Sequence, residues 1–345
     1  MKRFISVVFF LIVSIAILGS VYYKAKKQDI QRQSVAQSTK TLYVYTDMSL
    51  ELIHAVAKLF EMKTGITVDV IPLTENQILD ASLRTAQQAD IVISSQEVLQ
   101  QLSTKQQLHP FISEQTDTVL YPYRAENGLW TGVWIDPIIF IVNPTFYKEN
   151  FDILYTWDSV IQNMDIRISV TDFVTSRESE NLLYCMGEHF GDEETLMRLL
   201  QLGKHVVQYG KYLSTPVRMV AMNKADVGIS NYSEAMRAKK EQFPVQIIYP
   251  DDGQPWYLYG IGIYKDAPNF ELAGEFVDWV LSEDLKNTMG EVGTYYLLTN
   301  DVMQEKDDRG CLLDLWDLKK VFVKEGRDAF KKEWISEVRF AKKAE

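Results

Sequence analysis

Five short polar segments hold the side chains that could capture a small molecule: Thr46-Asp47-Met48-Ser49, Ser94-Ser95, Thr175-Ser176-Arg177, Ser214-Thr215 and Asn231-Tyr232-Ser233. Each follows a β-prone run or precedes a helical one. The first turn of a helix leaves N–H groups without intrahelical partners, so such a segment attracts anionic or oxygen-rich groups. A Ser, Thr or Asp there is also an ordinary N-cap, and residue type alone does not separate the two roles. Arg177 could grip an anion through its planar fork, or pair with Glu178 or Glu180 beside it. Trp134 beside Asp136, and Trp256 near Asp251-Asp252-Gly253, could enclose a ligand or pack in the core.

Residues for covalent or metal chemistry are sparse. The chain has no G-x-S-x-G elbow, no H-E-x-x-H and no phosphate loop. Its four histidines, His54, His109, His189 and His205, are scattered and read as structural or solvated. Two cysteines, Cys185 and Cys311, cannot build a Cys-only zinc or iron–sulfur site. They either bridge in an oxidising compartment or remain thiols. No cofactor motif is present. With 36 Lys and Arg against 47 Asp and Glu, the formal charge of −11 argues against a nucleic-acid partner.

These segments need a scaffold, and 345 residues with a 46% hydrophobic fraction are enough for two cores. Thr41–Tyr45, Ile66–Ile71 and Ile91–Ile93 read as strands. Between them, Leu52, Ile53, Val56, Ala57, Leu59 and Phe60 recur at helical spacing up to a C-capping Gly65, and a polar helix is expected over Glu75–Gln87. This β-α-β-α-β order predicts a parallel sheet in an α/β fold. Further on, an apolar stretch covers Trp130–Val142, and strands are expected at Ile166–Val170, Asp226–Ile229, Val245–Tyr249 and Leu258–Tyr264. Helices are expected at Glu180–Phe190, Glu193–Tyr209, from Pro216 and at Phe270–Leu281, with a basic helical tail from Leu312.

The N-terminus reads as an export segment. Lys2 and Arg3 precede an apolar run from Phe4 to Tyr23, long enough for a bilayer core, which Lys24, Lys26 and Lys27 stop. It serves either as a cleaved signal or as a retained anchor, and no lipidation Cys follows it. Residues 29–40 read as a linker. Residues 1–28 carry five Lys or Arg and no acid, so the exported remainder holds 31 basic and 47 acidic residues, a formal −16.

A set of motifs in fixed order carries a resemblance: Thr41–Thr46 (TLYVYT), Leu59–Val68 (LFEMKTGITV), Ala89–Ile93 (ADIVI), Gly128–Gly132 (GLWTG), Thr156–Asp158 (TWD), Ala225–Ile229 (ADVGI) and Phe276–Ser282 (FVDWVLS). Over about residues 41–300 the chain resembles the extracellular solute-binding proteins of ABC importers, in the branch of ferric-ion, sugar-phosphate, phosphonate, polyamine and thiamine binders. The resemblance implies a two-lobed type 2 periplasmic-binding fold of the α/β class. Mixed, mostly parallel sheets, a hinge and a central ligand cleft go with it. The first lobe would combine residues 41–136 and 236–300. The second would hold 137–235 with C-terminal helices in 301–345. Hinges would fall near Trp134–Val142 and Ser230–Ala235.

The residues carried toward the cleft are Asp47, Met48, Ser49, Ser94, Ser95, Trp134, Asp136, Thr175, Ser176, Arg177, Thr215, Asn231, Tyr232 and Trp256, with Tyr232 the foremost candidate because it follows the second hinge strand. Ferric binders of this branch use a His, a Glu and two adjacent Tyr. Ser49, Ser95 and Tyr232-Ser233 stand at those positions here, so no metal is expected, and ferric iron stays only as an alternative ligand. The hydroxyls and helix N-termini favour a small organic anion, phosphorylated or phosphonate-like. Asp47, Asp136 and Asp251 leave an amine open. The expected role is a monomeric, exported binding protein at the outer face of the cytoplasmic membrane. It would deliver a solute to an ABC permease, or present it to a membrane histidine kinase, and would not be an enzyme.

Overall fold

The computed structural model describes residues 41–80, 82, 87–286, 295–300, 302–319 and 326–340. The proposed export segment and linker lie outside them. Among the described residues no helix is long and apolar enough to cross a membrane.

Alternation along Thr41–Thr46 makes strand β1, and the helical stripe makes α1 (Leu50–Thr64), which buries Leu52, Ile53, Val56, Ala57 and Phe60. Gly65 ends α1 at φ +73°, a left-handed conformation in which a Cβ would be strained. Strand β2 (Thr67–Pro72) leads to α2 (Glu75–Leu79), which is capped reciprocally by Thr74 and Gln77. The expected helix to Gln87 stops at Leu79, and part of the remainder lies outside the described residues. Strand β3 (Ile91–Ser95), wholly buried, precedes α3 (Gln96–Thr104) and the two-residue β4 (Leu108–His109). Strand β1 pairs in parallel with both β2 and β3, as the β-α-β-α-β order requires.

Twelve buried residues form β5 (Thr131–Val142). Beyond it come β6 (Ile168–Thr171), α4 (Arg177–Phe190), α5 (Asp192–Gly203), β7 (Val206–Gly210), α6 (Thr215–Ala221), β8 (Val227–Asn231), α7 (Tyr232–Lys240), β9 (Gln246–Ile248), β10 (Trp256–Tyr264) and α8 (Phe270–Val280). Then come β11 (Leu297–Leu298) and α9 (Arg327–Glu333), which runs on into a π-helical segment, Trp334–Arg339. The N-terminal half of β5 pairs with β10 and β11, and its C-terminal half, from Ile138, pairs with β8 and β9. One strand therefore serves two sheets: β2-β1-β3-β10-β5 on one side and β5-β8-β6-β7 on the other. The wings are parallel, while antiparallel pairs through β5 and β10 join them.

Three expectations shift. The helix read as Glu193–Tyr209 ends at Gly203, and Val206–Gly210 instead pairs in parallel with β6. The β-branched Val206-Val207 favours that outcome, and the partner strand that decides it is remote in sequence. The chain also returns to the first sheet later than expected. Residues 246–248 still pair with β5 on the second sheet, so the second crossing lies between β9 and β10 and not at Ser230–Ala235. Finally, the tail is not helical from Leu312. Residues 312–319 run extended, with the Asp314 carbonyl accepting from the Gln254 N–H (2.7 Å) and the Trp316 N–H donating to Gln254 O (3.0 Å). Helix resumes at Arg327, and Phe330 lies against the Cα of Gly187 on α4.

Candidate functional site

Strands β1 and β3 in one sheet and β6 and β8 in the other end at the segments where ligands of open α/β sheets sit. From the first sheet, Asp47 leaves the end of β1. Its Oδ1 accepts from the buried Ser94 hydroxyl (2.7 Å) at the end of β3, and the Thr46 hydroxyl accepts from the Met48 N–H (3.1 Å). From the second sheet, the N-terminus of the 14-residue α4 points the same way. Ser176 caps it reciprocally with Ser179, each hydroxyl accepting from the other's N–H at 3.2 Å.

Arg177, the first residue of α4, spans the gap. Its Nη1 lies 3.2 Å from Asp47 Oδ2, and its Nη2 pairs with Glu75 on α2. Neither of the neighbours weighed as partners, Glu178 or Glu180, receives it. Glu178 instead accepts from the Tyr259 hydroxyl on β10, a second link between the sheets. Burial pushes the Asp47 carboxyl above its ordinary range, against the lowering effects of Ser94 and Arg177. Burial also opposes the charge of Arg177, but Glu75 and Asp47 outweigh it and its pKa is raised.

Tyr257 and Tyr259 stand two residues apart on β10, so they share one face of that strand. Their rings meet edge to face at 4.9 Å, and Tyr259 meets Tyr296 in the same manner at 5.8 Å. Ser95 hydrogen-bonds Tyr257, and its hydroxyl also caps α3 through the Val98 N–H (3.4 Å). Ser49 is exposed before α1 and makes no capping bond.

Other candidates go elsewhere. Trp134 and Trp256 are fully buried and present no ring face to a ligand. The Trp256 indole donates to Trp316 O (2.9 Å), and its ring packs edge to face on Tyr123. Asp136 is also buried, accepting from Asn231 Nδ2 (3.1 Å), the Ser233 N–H (2.9 Å) and the Ser233 hydroxyl (2.7 Å). That cluster ties β5 to the start of α7 and leaves Asn231 and Asp136 occupied. Burial drives the Asp136 pKa up to about 7 despite its three donors. Tyr232, the foremost candidate, is buried and donates to Glu305 of the C-terminal segment (2.8 Å). Thr175 is exposed and donates to Asp172 O (2.7 Å). Thr215 accepts from the Tyr212 N–H (3.3 Å) in its own turn.

Sequence reasoning missed Glu75, Glu178, Tyr257, Tyr259 and Tyr296. The tyrosine pair was findable from the i, i+2 spacing in Trp256–Gly260 (WYLYG), since alternation puts both on one face. Glu75 gave no such signal. Both cysteines are thiols, Cys185 buried and Cys311 exposed, and burial pushes the Cys185 thiol up. His205 is buried and fixed between the Ile166 and Ile161 carbonyls (2.8 Å each), a structural role. Among the described residues no group of three or more His, Cys, Asp and Glu could hold a metal ion.

Comparison with known proteins agrees with this architecture. Residues 41–293 match the family described as bacterial extracellular solute-binding protein. A 158-residue stretch is 30% identical to an uncharacterised protein of Haemophilus influenzae, spanning 44% of this chain and 46% of that protein, less than half its length. Among solved structures, the periplasmic binding protein AfuA of Actinobacillus pleuropneumoniae with fructose-6-phosphate bound superposes with a TM-score of 0.68. It is 22% identical, with 88% of this chain and 100% of that one covered. Iron-bound HitA of Pseudomonas aeruginosa gives 0.70 at 19% identity, covering 85% and 98%. The apo ferric ion-binding protein A of Pasteurella haemolytica gives 0.71 at 18%, covering 89% and 100%. At these identities the structural likeness concerns the fold: two lobes of mixed α/β structure.

Proposed function

Because the chain belongs to the bacterial extracellular solute-binding proteins, we propose that it is the exported receptor of an ABC importer. Its solute is a small polyhydroxylated molecule bearing an anionic group, held between the two lobes. The observation that carries this reading is the guanidinium of Arg177 at the N-terminus of α4, reaching across to the Asp47 loop. A fork of N–H donors beside the free N–H groups of a long helix suits a phosphate or carboxylate. The carboxylates and phenols around it, Asp47, Glu75, Glu178, Tyr257 and Tyr259, suit hydroxyl groups, which need both acceptors and donors. Fructose-6-phosphate, the ligand in the AfuA structure, combines those two features. Ser49 and Ser176 complete the proposed contacts, and hinge motion about β5 would close the lobes on the solute.

Iron is a poorer fit. Tyr232 is engaged with Glu305, and the remaining positions expected of a ferric site are serines. A cationic amine would find carboxylates here, but it would have to displace Arg177 from both Asp47 and Glu75.

A thermal-shift screen across sugar phosphates, phosphonates, polyamines, thiamine and ferric salts tests the reading, since a ligand that binds only the folded form raises the melting temperature by mass action. Stabilisation by a phosphorylated sugar is expected. A flat response from the folded, ligand-free protein across all classes counts against the binding role, and stabilisation by polyamines alone counts against the anion.

A further inference from the structure

Arg177 is committed to two carboxylates of the opposite lobe, and those two carboxylates differ. The Glu75 side chain is 23% exposed, so water can solvate it when its partner leaves, whereas Asp47 is 13% exposed. Asp47 has the Ser94 hydroxyl on one oxygen and Arg177 on the other. The charged and titratable groups around this pair are Glu75 on α2, Glu97 on α3, Glu178 on α4 and Tyr257 on β10. Glu97 is itself paired with Arg327 of α9 (2.7 Å), so the remaining groups are acids and Arg177 is the cation in contact with Asp47.

We propose that an anionic solute and Asp47 compete for Arg177, so that capture of the solute is accompanied by uptake of one proton at Asp47. The inference rests on the anion reading above and adds a coupling that reading does not require. When the guanidinium turns to the solute, Asp47 stays in a cleft of acidic neighbours without a counter-charge. A carboxylate in that setting ionises less readily, because both burial and like charges favour its neutral form. The proton comes from bulk water and forms an O–H bond on the carboxylate oxygen that Arg177 vacates. The other oxygen still accepts from Ser94. Burial already holds the Asp47 carboxyl above its ordinary range with Arg177 in place. The proton at Asp47 offsets one of the negative charges that the solute brings into the cleft.

The test is calorimetric titration with fructose 6-phosphate at one pH in two buffers of different ionisation enthalpy, which gives the protons taken up per solute. The ester has its own titration, so Asp47→Asn supplies the reference. The wild-type protein should take up more protons than the variant, by up to about one per solute, and its affinity relative to the variant's should fall by up to about tenfold per pH unit. Equal proton counts in the two proteins overturn the coupling while leaving the anion reading intact. Failure of the wild-type protein to bind fructose 6-phosphate or inorganic phosphate overturns the anion reading itself. Infrared difference spectra of the wild-type protein make the same distinction without a variant. A protonated carboxyl stretch that appears on adding the ester supports the coupling, and its absence despite binding overturns it.

Discussion

Asp136 is the most exacting place to test the physical account, because its environment sets a pH dependence of stability with a definite sign. The carboxyl sits on β5 where that strand passes from one sheet to the other, buried, and holds the start of α7 through Asn231 and Ser233. Its pKa is raised from 3.8 to about 7, burial outweighing the three donors and Glu178 adding a smaller push in the same direction. A raised carboxyl pKa means that the fold favours the protonated form. The stabilisation is complete below the unfolded value and is lost as pH climbs through the folded one. Three pKa units correspond to about 4 kcal/mol in all, or about 1.4 kcal/mol per pH unit inside that window. Between pH 5 and pH 6.5 the protein should lose about 2 kcal/mol through this group, roughly 4 °C in melting temperature for a domain of this size. In Asp136→Asn the amide oxygen keeps the Ser233 N–H, while its NH2 meets the Asn231 NH2, donor against donor, an offset of about 1 kcal/mol at every pH. Denaturant unfolding of both proteins at closely spaced pH values isolates the effect, since all other titrating groups are common to the pair. Equal slopes for wild type and variant over that window would refute the assignment.

Four further variants have definite expected outcomes. Arg177→Ala should weaken binding of an anionic solute by about 10- to 100-fold, the loss of a charge-assisted bond, whereas Glu75→Gln should strengthen it by releasing half of the competition; titration calorimetry at low salt reads both. Tyr232→Phe should lower stability by about 1 kcal/mol through the lost bond to Glu305 and leave solute affinity unchanged, and a drop in affinity would restore Tyr232 to the cleft. Gly253→Ala should cost about 1–3 kcal/mol in denaturant unfolding, because φ is +89° there and a Cβ would sit 2.6 Å from Trp316 Cδ1.

The parts of this molecule written in local pattern were legible. The stripe of α1, its stop at Gly65 and the β-α-β-α-β order lie within short windows, so periodicity and turn chemistry suffice. Val206–Gly210 failed because its strand character comes from pairing with β6. The extended course of 312–319 failed for the same reason, being held by Gln254, some sixty residues earlier.

For the cleft the division is finer and concerns charge. Capping segments marked where helices begin, so the sequence placed Ser176 and Arg177 at the start of α4. What a polar side chain there does depends on which partner from the other lobe arrives first. Asn231, Tyr232 and Asp136 have the right residue types and the right place in sequence, and each is consumed by a neighbour: Asp136 by Asn231 and Ser233, Tyr232 by Glu305. Arg177 is consumed too, but with a difference that matters for function. Its side chain is 39% exposed and its two partners belong to the opposite lobe. A contact that crosses lobes at a water-accessible gap can be exchanged for a ligand without opening either core, whereas Asp136 cannot change partners without unpinning β5 from α7. The distinction between a polar group that pins β5 to α7 and one that can exchange its partner is therefore set by where that partner is anchored, and residue type does not encode it.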